Sequence, residues 1–317
     1  MTGVVRGDPN TEPIAVSAAA GPAPVLAKKR TGEFLYFALR SRKFLLSTGI
    51  LLALIGIAFI GPMIDTNDPL AQDLLPMRPP TAQMGYWFGT TYFGEDVFAQ
   101  FAHGLRATFF VGLLGGGLAA LIGMAVGFTA GYRGGWIDEI LNMLTNVILV
   151  IPTLALLIVI SSYLQRSWPE ARGIPFESIF VGVTSWPWAA RAIRAQTFSL
   201  RSRDFIDLAK LSGRRGWKII VFEIAPNMSS YLFMTFILLF GGAILIAASL
   251  DFIGLGPTQG ISLGLMMFNS FSYGAALMLG LWWWFIPPGI GIMATVGALY
   301  VMNVGLDEIF NPKLREI

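Results

Sequence analysis

The chain holds few residues able to do covalent or redox chemistry. Its 317 residues include no cysteine and one histidine, His103, beside 19 acidic and 22 basic residues. Without cysteine there is no thiolate nucleophile, thiolate zinc site, iron–sulfur ligand set or disulfide. One histidine excludes a histidine-rich metal cage, and the scattered acids outline no catalytic centre. His103 follows Val97, Phe98 and Phe101 and precedes Leu105, an apolar face at helical spacing. That spacing predicts an interfacial helix on the outer side, with His103 at its wet edge rather than serving as a metal ligand or gate. Leu211-Ser212-Gly213 has the form of the start of an ATPase signature. No phosphate-cradling G-x-x-x-x-G-K-[ST] run is present, so ATP is not expected to bind this chain.

The patterned stretch is 198–227. Eight of the 22 basic residues fall between 191 and 218, which places this loop on the inner side of a membrane. Phe205, Leu208, Ala209 and Ser212 fall at i, i+3, i+4 and i+7 and predict one narrow apolar helix face. Gly213 predicts that helix's stop, in the left-handed conformation. Trp217, Ile219, Ile220 and Phe222 begin a second element, and Pro226 is expected to open the next helix. Two short helices with a glycine corner are therefore expected beneath the bilayer.

The rest of the chain is what must hold that hook. Apolar types make up 55% of it, charged types 13%, and its mean hydropathy is +0.64. A soluble domain carries about 25% charged residues, so a cytosolic globular enzyme is excluded. A net charge of +3 is too small to argue for nucleic acid. The fold expected is all-α and polytopic, with six spans near 44–64, 107–131, 140–163, 176–195, 228–250 and 281–303. With the N-terminus inside, eighteen of the 22 basic residues fall on inner segments, so both termini are expected in the cytoplasm. Residues 1–30, rich in Ala, Pro, Gly and Val, read as a disordered cytoplasmic tail without the pattern of a signal peptide. Residues 31–43 read as an amphipathic interfacial helix. Residues 44–317 form the membrane domain.

Three further patterns are informative. Gly115, Ala119, Gly123, Gly127 and Gly131 recur every four residues, a small-residue stripe for close helix packing or, alternatively, sliding. The spans carry almost no mid-membrane charge, which counts against an ion pump or proton-coupled carrier working alone. Glu95, Asp96, Asp65, Asp68 and Asp73 tilt the outer side acidic. They read as an ordinary scarcity of outer positive charge in preference to a docking face. Trp282, Trp283 and Trp284 read as an interfacial belt ahead of Pro287 and Pro288, which can kink the last span.

Asp207-Leu208-Ala209, Gly213 and, thirteen residues on, Pro226 resemble the "EAA" loop of bacterial and archaeal ABC-importer permeases. Asp207 stands for its Glu, Leu208 for its first Ala and Ala225 for its Leu. Gly89-Thr90, Gly94-Glu95-Asp96-Val97, Gly104-Leu105-Arg106, Gly131 to Asp138, Ile151-Pro152 and Ser249 to Gly256 are similar to segments of the C-type permease of dipeptide and oligopeptide importers. The sequence departs from that pattern at Glu95, where Arg is usual. It departs also near Met143 and Asn146, where an Arg and an Asp are common, and at Ala247, where a Glu is common.

The resemblance implies half of a translocation pathway working by alternating access. Its expected partners are a homologous second permease, two ATPase subunits holding ATP and Mg, and an extracytoplasmic substrate-binding protein. It assigns Asp204, Asp207, Leu208, Ala209, Ser212, Gly213 and Pro226 to the ATPase-coupling loop. It implies no catalytic residue, metal or cofactor on this chain. The cargo it implies is chiefly peptides; relatives carrying nickel or oligosaccharides are the alternative, and a stand-alone channel or secondary carrier is the less favoured one.

Overall fold

The computed structural model describes residues 36–83, 85–168, 173–256, 260–275 and 278–310. The expected tail 1–30 lies outside the described residues. Of the expected interfacial helix 31–43, only 36–38 are seen as a helical turn, and Arg42 and Lys43 already belong to the first long helix. Helices carry the structure. Among the described residues the clearest β-pairing is an isolated bridge between Thr90 and Asp96.

Helix α1 spans Arg42–Ile64, started by the Ser41 side chain, which accepts from Phe44 N–H at 3.3 Å. Helix α2 runs Val97–Arg133 without a break. At 1.5 Å per residue it is about 55 Å long, well over the ~30 Å hydrocarbon core. The separate interfacial helix expected around His103 is therefore the outer end of this one helix.

The third expected span is two helices, α3 (Gly135–Val150) and α4 (Thr153–Ser167). They meet at 81° across Ile151-Pro152. Proline cannot donate its N–H to a helix and disfavours helical conformation in the residue before it, so the break falls there. Helix α5 covers Ile174–Arg201. The inner loop holds α6 (Asp204–Leu211) and then α7, a turn at Gly216–Ile219. A π-helical turn Ile220–Ile224 and a last turn Ala225–Asn227 continue α7. Helices α8 (Ser229–Phe252), α9 (Leu263–Ser272) and α10 (Trp282–Phe310) complete the chain.

By length and composition α1, α2, α8 and α10 can each cross a membrane, and the bent α3–α4 pair makes a fifth candidate. Helix α5 is long enough but less apolar, carrying Glu177, Arg191, Arg194 and Arg201.

The tightest interface joins α2 to α5, because the stripe on α2 has almost no side chain. A Cβ on Gly127 would stand 2.7 Å from the Ala190 carbonyl oxygen. One on Gly131 would stand 2.7 Å from that of Arg194, and one on Gly123 2.9 Å from Ala189 Cβ. Gly115 faces the Ser178 carbonyl at 3.0 Å by the same measure, and Ala119 is fully buried. The stripe therefore sets the two backbones against each other along most of α5. Gly112 and Gly116 turn the neighbouring face of α2 onto Phe240 of α8 in the same way.

At the N-terminal end of α2, residues 65–83 and 85–96 fold over the helix. Thr90 N–H donates to Arg78 O at 2.9 Å and Leu74 N–H to Gly94 O at 3.1 Å. Gly94 has φ +86, and a Cβ there would stand 2.3 Å from Leu74 O, so the turn admits only glycine. Trp283 closes the cap from α10, its Nε1–H donating to Thr90 O at 3.0 Å. Trp283 and Trp284 are buried, and Trp282 alone of the three is exposed as an interfacial belt would have it. The outer motif holds the other two as packing anchors.

Candidate functional site

The inner hook is built on a core shared with the membrane helices. Ile206, Ala209, Ile219 and Ile224 are buried in one cluster with Ala119, Phe128, Trp186, Ala190 and Ile193 from the inner halves of α2 and α5. Tyr132 at the end of α2 packs against Gly216, whose Cβ would stand 2.9 Å from Tyr132 Cε1. Arg201 donates to the Tyr132 carbonyl at 3.0 Å and so caps α2 from the end of α5. The hook is seated on the bundle rather than suspended from it.

Its corner is a Schellman motif. Arg214 N–H donates to Ala209 O at 3.3 Å and Gly213 N–H to Lys210 O at 2.9 Å. Gly213 takes φ +71, and no atom lies within 4 Å of where its Cβ would be. Only the backbone conformation, and no neighbour, requires glycine there. Lys210 pairs with Asp207 at 2.9 Å, and Arg214 pairs with Glu223 across the corner.

The apolar face differs from the one the spacing predicts. Ile206 and Ala209 are buried and Phe205 is partly so, whereas Leu208 is 65% and Leu211 85% exposed. Ser212 is exposed too. The helix is rotated because Ile206, the most apolar position facing the bundle, fills the shared core. Trp217, Val221 and Phe222 are also more than half or about half exposed. Large apolar side chains thus project from a basic inner loop. Pro226 lies in the last turn of α7, three residues before α8, and does not open that helix. The π turn before it shifts the hydrogen-bond register next to a residue that has no N–H to give.

Arg191 and Arg194 of α5 are tied to α3. Arg194 grips Asp138 with two hydrogen bonds, 2.5 Å from Nε and 2.6 Å from Nη2. Arg191 donates to Asn146 Oδ1 at 2.6 Å. Asn146, where the resemblance leads one to expect a charge nearby, keeps a polar contact to α5; Met143 is exposed and Ala247 is buried.

Midway along the bundle a cavity of about 370 Å³ opens at the α3–α4 break. It is walled by Leu149 and Thr153 at the break, Thr184, Ser185 and Trp188 of α5, Gly242 of α8 and Tyr300 of α10. Most of α3 and α4 is exposed around it: α3 buries only Thr145. The wall is apolar with a few hydroxyls, which suits passage of a solute better than tight retention of an ion.

The outer acids are largely structural. Asp96 is buried and caps α2, accepting from Phe98 N–H at 2.8 Å and Ala99 N–H at 3.2 Å. Asn67 Nδ2 donates to its second oxygen at 3.0 Å. Burial pushes the Asp96 carboxyl up to about 6, with nearby Asp65 adding to it against the Asn67 and Ala99 hydrogen bonds. Asp65 is buried as well, and Glu95 accepts from Thr91 and Gln100. These three are not free to form an acidic docking face. His103 is half-buried beside Arg106 in a separate outer cavity. Sequence reading missed one pair entirely: Glu177 of α5 and Asp251 of α8, 74 positions apart, bury their carboxyl groups against each other.

A family model described as "Binding-protein-dependent transport system inner membrane component" matches residues 123–316, which include the whole hook. The chain belongs to this family. Similar proteins cover nearly all of its length. The dipeptide transport system permease protein DppC of Bacillus subtilis is 30% identical over 84% of this chain and 80% of its own. The probable D,D-dipeptide transport system permease protein DdpC of Escherichia coli is 29% identical over 89% of this chain and 92% of its own. The oligopeptide transport system permease protein OppC of Bacillus subtilis is 29% identical over 96% and 97%. This permease is accordingly a multi-pass membrane protein.

Proposed function

We propose that this permease forms half of the translocation pathway of an ABC importer for di- or oligopeptides. The names of its relatives support the cargo class. The chain itself is non-catalytic in this reading and binds no cofactor; ATP and Mg sit on two separate ATPase subunits. A homologous permease lies against the exposed α3–α4 side, where the mid-bundle cavity opens. An extracytoplasmic binding protein delivers substrate to the outer face.

Residues 1–30 form an inner tail, 31–43 an interfacial segment and 44–317 the permease domain. Helix α5 is one further span, the fourth in chain order, which brings the number to six and puts both termini and the basic loop 198–227 in the cytoplasm. Its arginines support that reading, since Arg191 and Arg194 meet partners on α3 and Arg201 one on α2 rather than standing free in lipid.

The observation that carries the coupling role is the two-sided hook. Leu208, Leu211, Trp217, Val221 and Phe222 project outward while Ile206, Ala209, Ile219 and Ile224 are locked into the bundle core. An apolar projection on a charged loop fits a cleft on another protein. Closure of the ATPase dimer then moves the hook, and the hook moves α2, α5 and α8 with it. The switch requires that ATP binding differ in free energy between inward-open and outward-open states. Asp204, Asp207, Ser212 and Pro226 are exposed around this projection and shape its rim.

The test replaces Gly213 by Val and, separately, by Asn. Asn tolerates a left-handed conformation that Val resists. Gly213→Val is expected to abolish uptake and substrate-stimulated ATP hydrolysis together while the complex still assembles in the membrane. Gly213→Asn is expected to retain most of both. Full coupled uptake by the Val variant would refute the assignment.

A further inference from the structure

We infer that Glu177 and Asp251 hold one shared proton between them, making a carboxyl–carboxylate bridge that pins the outer end of α5 to the outer end of α8. Glu177 lies in the first turn of α5 and is 8% exposed; Asp251 lies in the last turn of α8 and is 2% exposed. Their side chains are in hydrogen-bonding contact. Ser262 Oγ–H donates to Asp251 Oδ2. Both oxygens of Glu177 and the Oδ1 of Asp251 meet no donor among the described residues.

Two ionised carboxylates have no hydrogen to offer each other, so this contact is a hydrogen bond only when one of them carries a proton. One proton supplies the missing donor. It also leaves a single negative charge, which the N-terminus of α5 favours.

Among the described residues, the surroundings give the pair nothing else to neutralise it. On α5 and α8 no other charged side chain lies at the outer end: Arg191, Arg194 and Arg201 sit at the inner end of α5, as does Tyr231 on α8. Helix α9 and the described residues 253–256 and 260–262 carry no titratable group facing it. Helix α4 carries Arg166 in its last turn, at the same end of the bundle as Glu177, where its side chain is exposed. Helix α2 brings His103 and Arg106, which line the neighbouring cavity with Ile174 and Gly260.

The pair is also sealed. A Cβ on Gly256 would stand 2.0 Å from Asp251 Oδ1, and one on Gly264 2.6 Å from Asp251 Cβ. Backbone therefore covers the carboxyl where a side chain or a hydrated cation would otherwise lie. Two carboxylates and one hydroxyl fall short of the six to eight oxygens a calcium ion takes. When the outer ends of α5 and α8 part, the O–H bond breaks to outside water, the proton leaves, and the pair changes from one negative charge to two. Opening the outer side is thereby linked to proton release.

The chain has no cysteine, so labels placed at Phe176 and Ile253, exposed neighbours of the pair, report on this joint alone. The experiment uses the full-length permease with its co-purifying chains in lipid nanodiscs and needs neither substrate nor ATP. Infrared titration at neutral pH should show a protonated-carboxyl signal of about one group per chain, lost in Glu177→Gln and in Asp251→Asn. Raising the pH should discharge that signal and lengthen the 176–253 label distance in the parent. In Asp251→Asn the amide N–H donates permanently to Glu177, so the distance should stay short at every pH. Absence of the signal, or a parent distance that ignores pH, overturns the proposal. So does a signal that answers to added calcium or sodium at fixed pH, which would make the occupant a metal ion. Failure here leaves the transport reading untouched, and loss of hook coupling leaves this bridge untouched.

Discussion

At the scale of single residues, glycines set the geometry and acids set the pH response. Gly127 touches backbone on α5, so a larger side chain has nowhere to move. Gly127→Val should lower stability by about 1–3 kcal/mol, the usual cost of overpacking, and a lowered thermal unfolding midpoint in detergent would read it. Gly117 lies on another face of the same helix, where a Cβ would meet only Phe236 at 4.0 Å. Gly117→Ala should leave the midpoint unchanged or raise it slightly. Asp96 makes the opposite kind of prediction. Its carboxyl titrates near 6 in the folded protein against 3.8 for the free group. The folded state therefore binds this proton more tightly than the unfolded one. The stability it contributes is full below pH 3.8 and is lost as pH rises through about 6. Asp96→Asn keeps a capping oxygen and should remove that slope, which unfolding measured across this pH window would show. The four-residue spacing on α2 was legible because small residues at one period mean one helix face. The role of Asp96 was not, since burial of an acid depends on a 65–96 fold that no local pattern announces.

At the scale of elements, the bundle has a firm half and a loose half. Helices α2, α5 and α8 are locked by glycine contacts, whereas α3 is joined to α5 mainly through polar grips and α4 through Leu157, buried with Val181 and Ala243. The Asp138–Arg194 pair is the strongest of these. Arg194→Ala should cost about 1.5–3 kcal/mol, the range for hydrogen bonds to a charged group, and should speed proteolysis of the segment joining α2 to α3. Arg194→Lys should fall between, because lysine keeps the charge and loses the two-pronged grip. Hydrophobic stretches placed the helices well. They missed the 81° break, though Ile151-Pro152 marked its position, because an apolar count is blind to direction. They also misjudged the face of α6. Leu208 and Ile206 are equally apolar in sequence, and only the shape of the core beneath decides which one is buried.

At the scale of the whole molecule, basic and acidic ends oppose each other across the apolar middle. Leu211 and Met278 are 85% and 88% exposed and lie in the inner hook and beside the last outer turn. In the cysteine-free background, and with the permease made without its ATPase subunits, Leu211→Cys should react with an impermeant thiol reagent only in inverted vesicles, and Met278→Cys only in intact cells. The reverse pattern would turn the topology over. The all-helical plan with several membrane-length apolar helices was readable because membrane insertion leaves its mark on composition. The Glu177–Asp251 contact was not readable, since each acid looks ordinary until α5 and α8 are brought side by side.

The shared core beneath the hook also bears on biogenesis. Ile206, Ala209, Ile219 and Ile224 can be buried only after α2 and α5 have met. A nascent chain that has not yet joined those helices has no properly shaped knob to present. Under the proposed coupling role, recruitment of the ATPase subunits therefore waits on correct packing of α2 against α5.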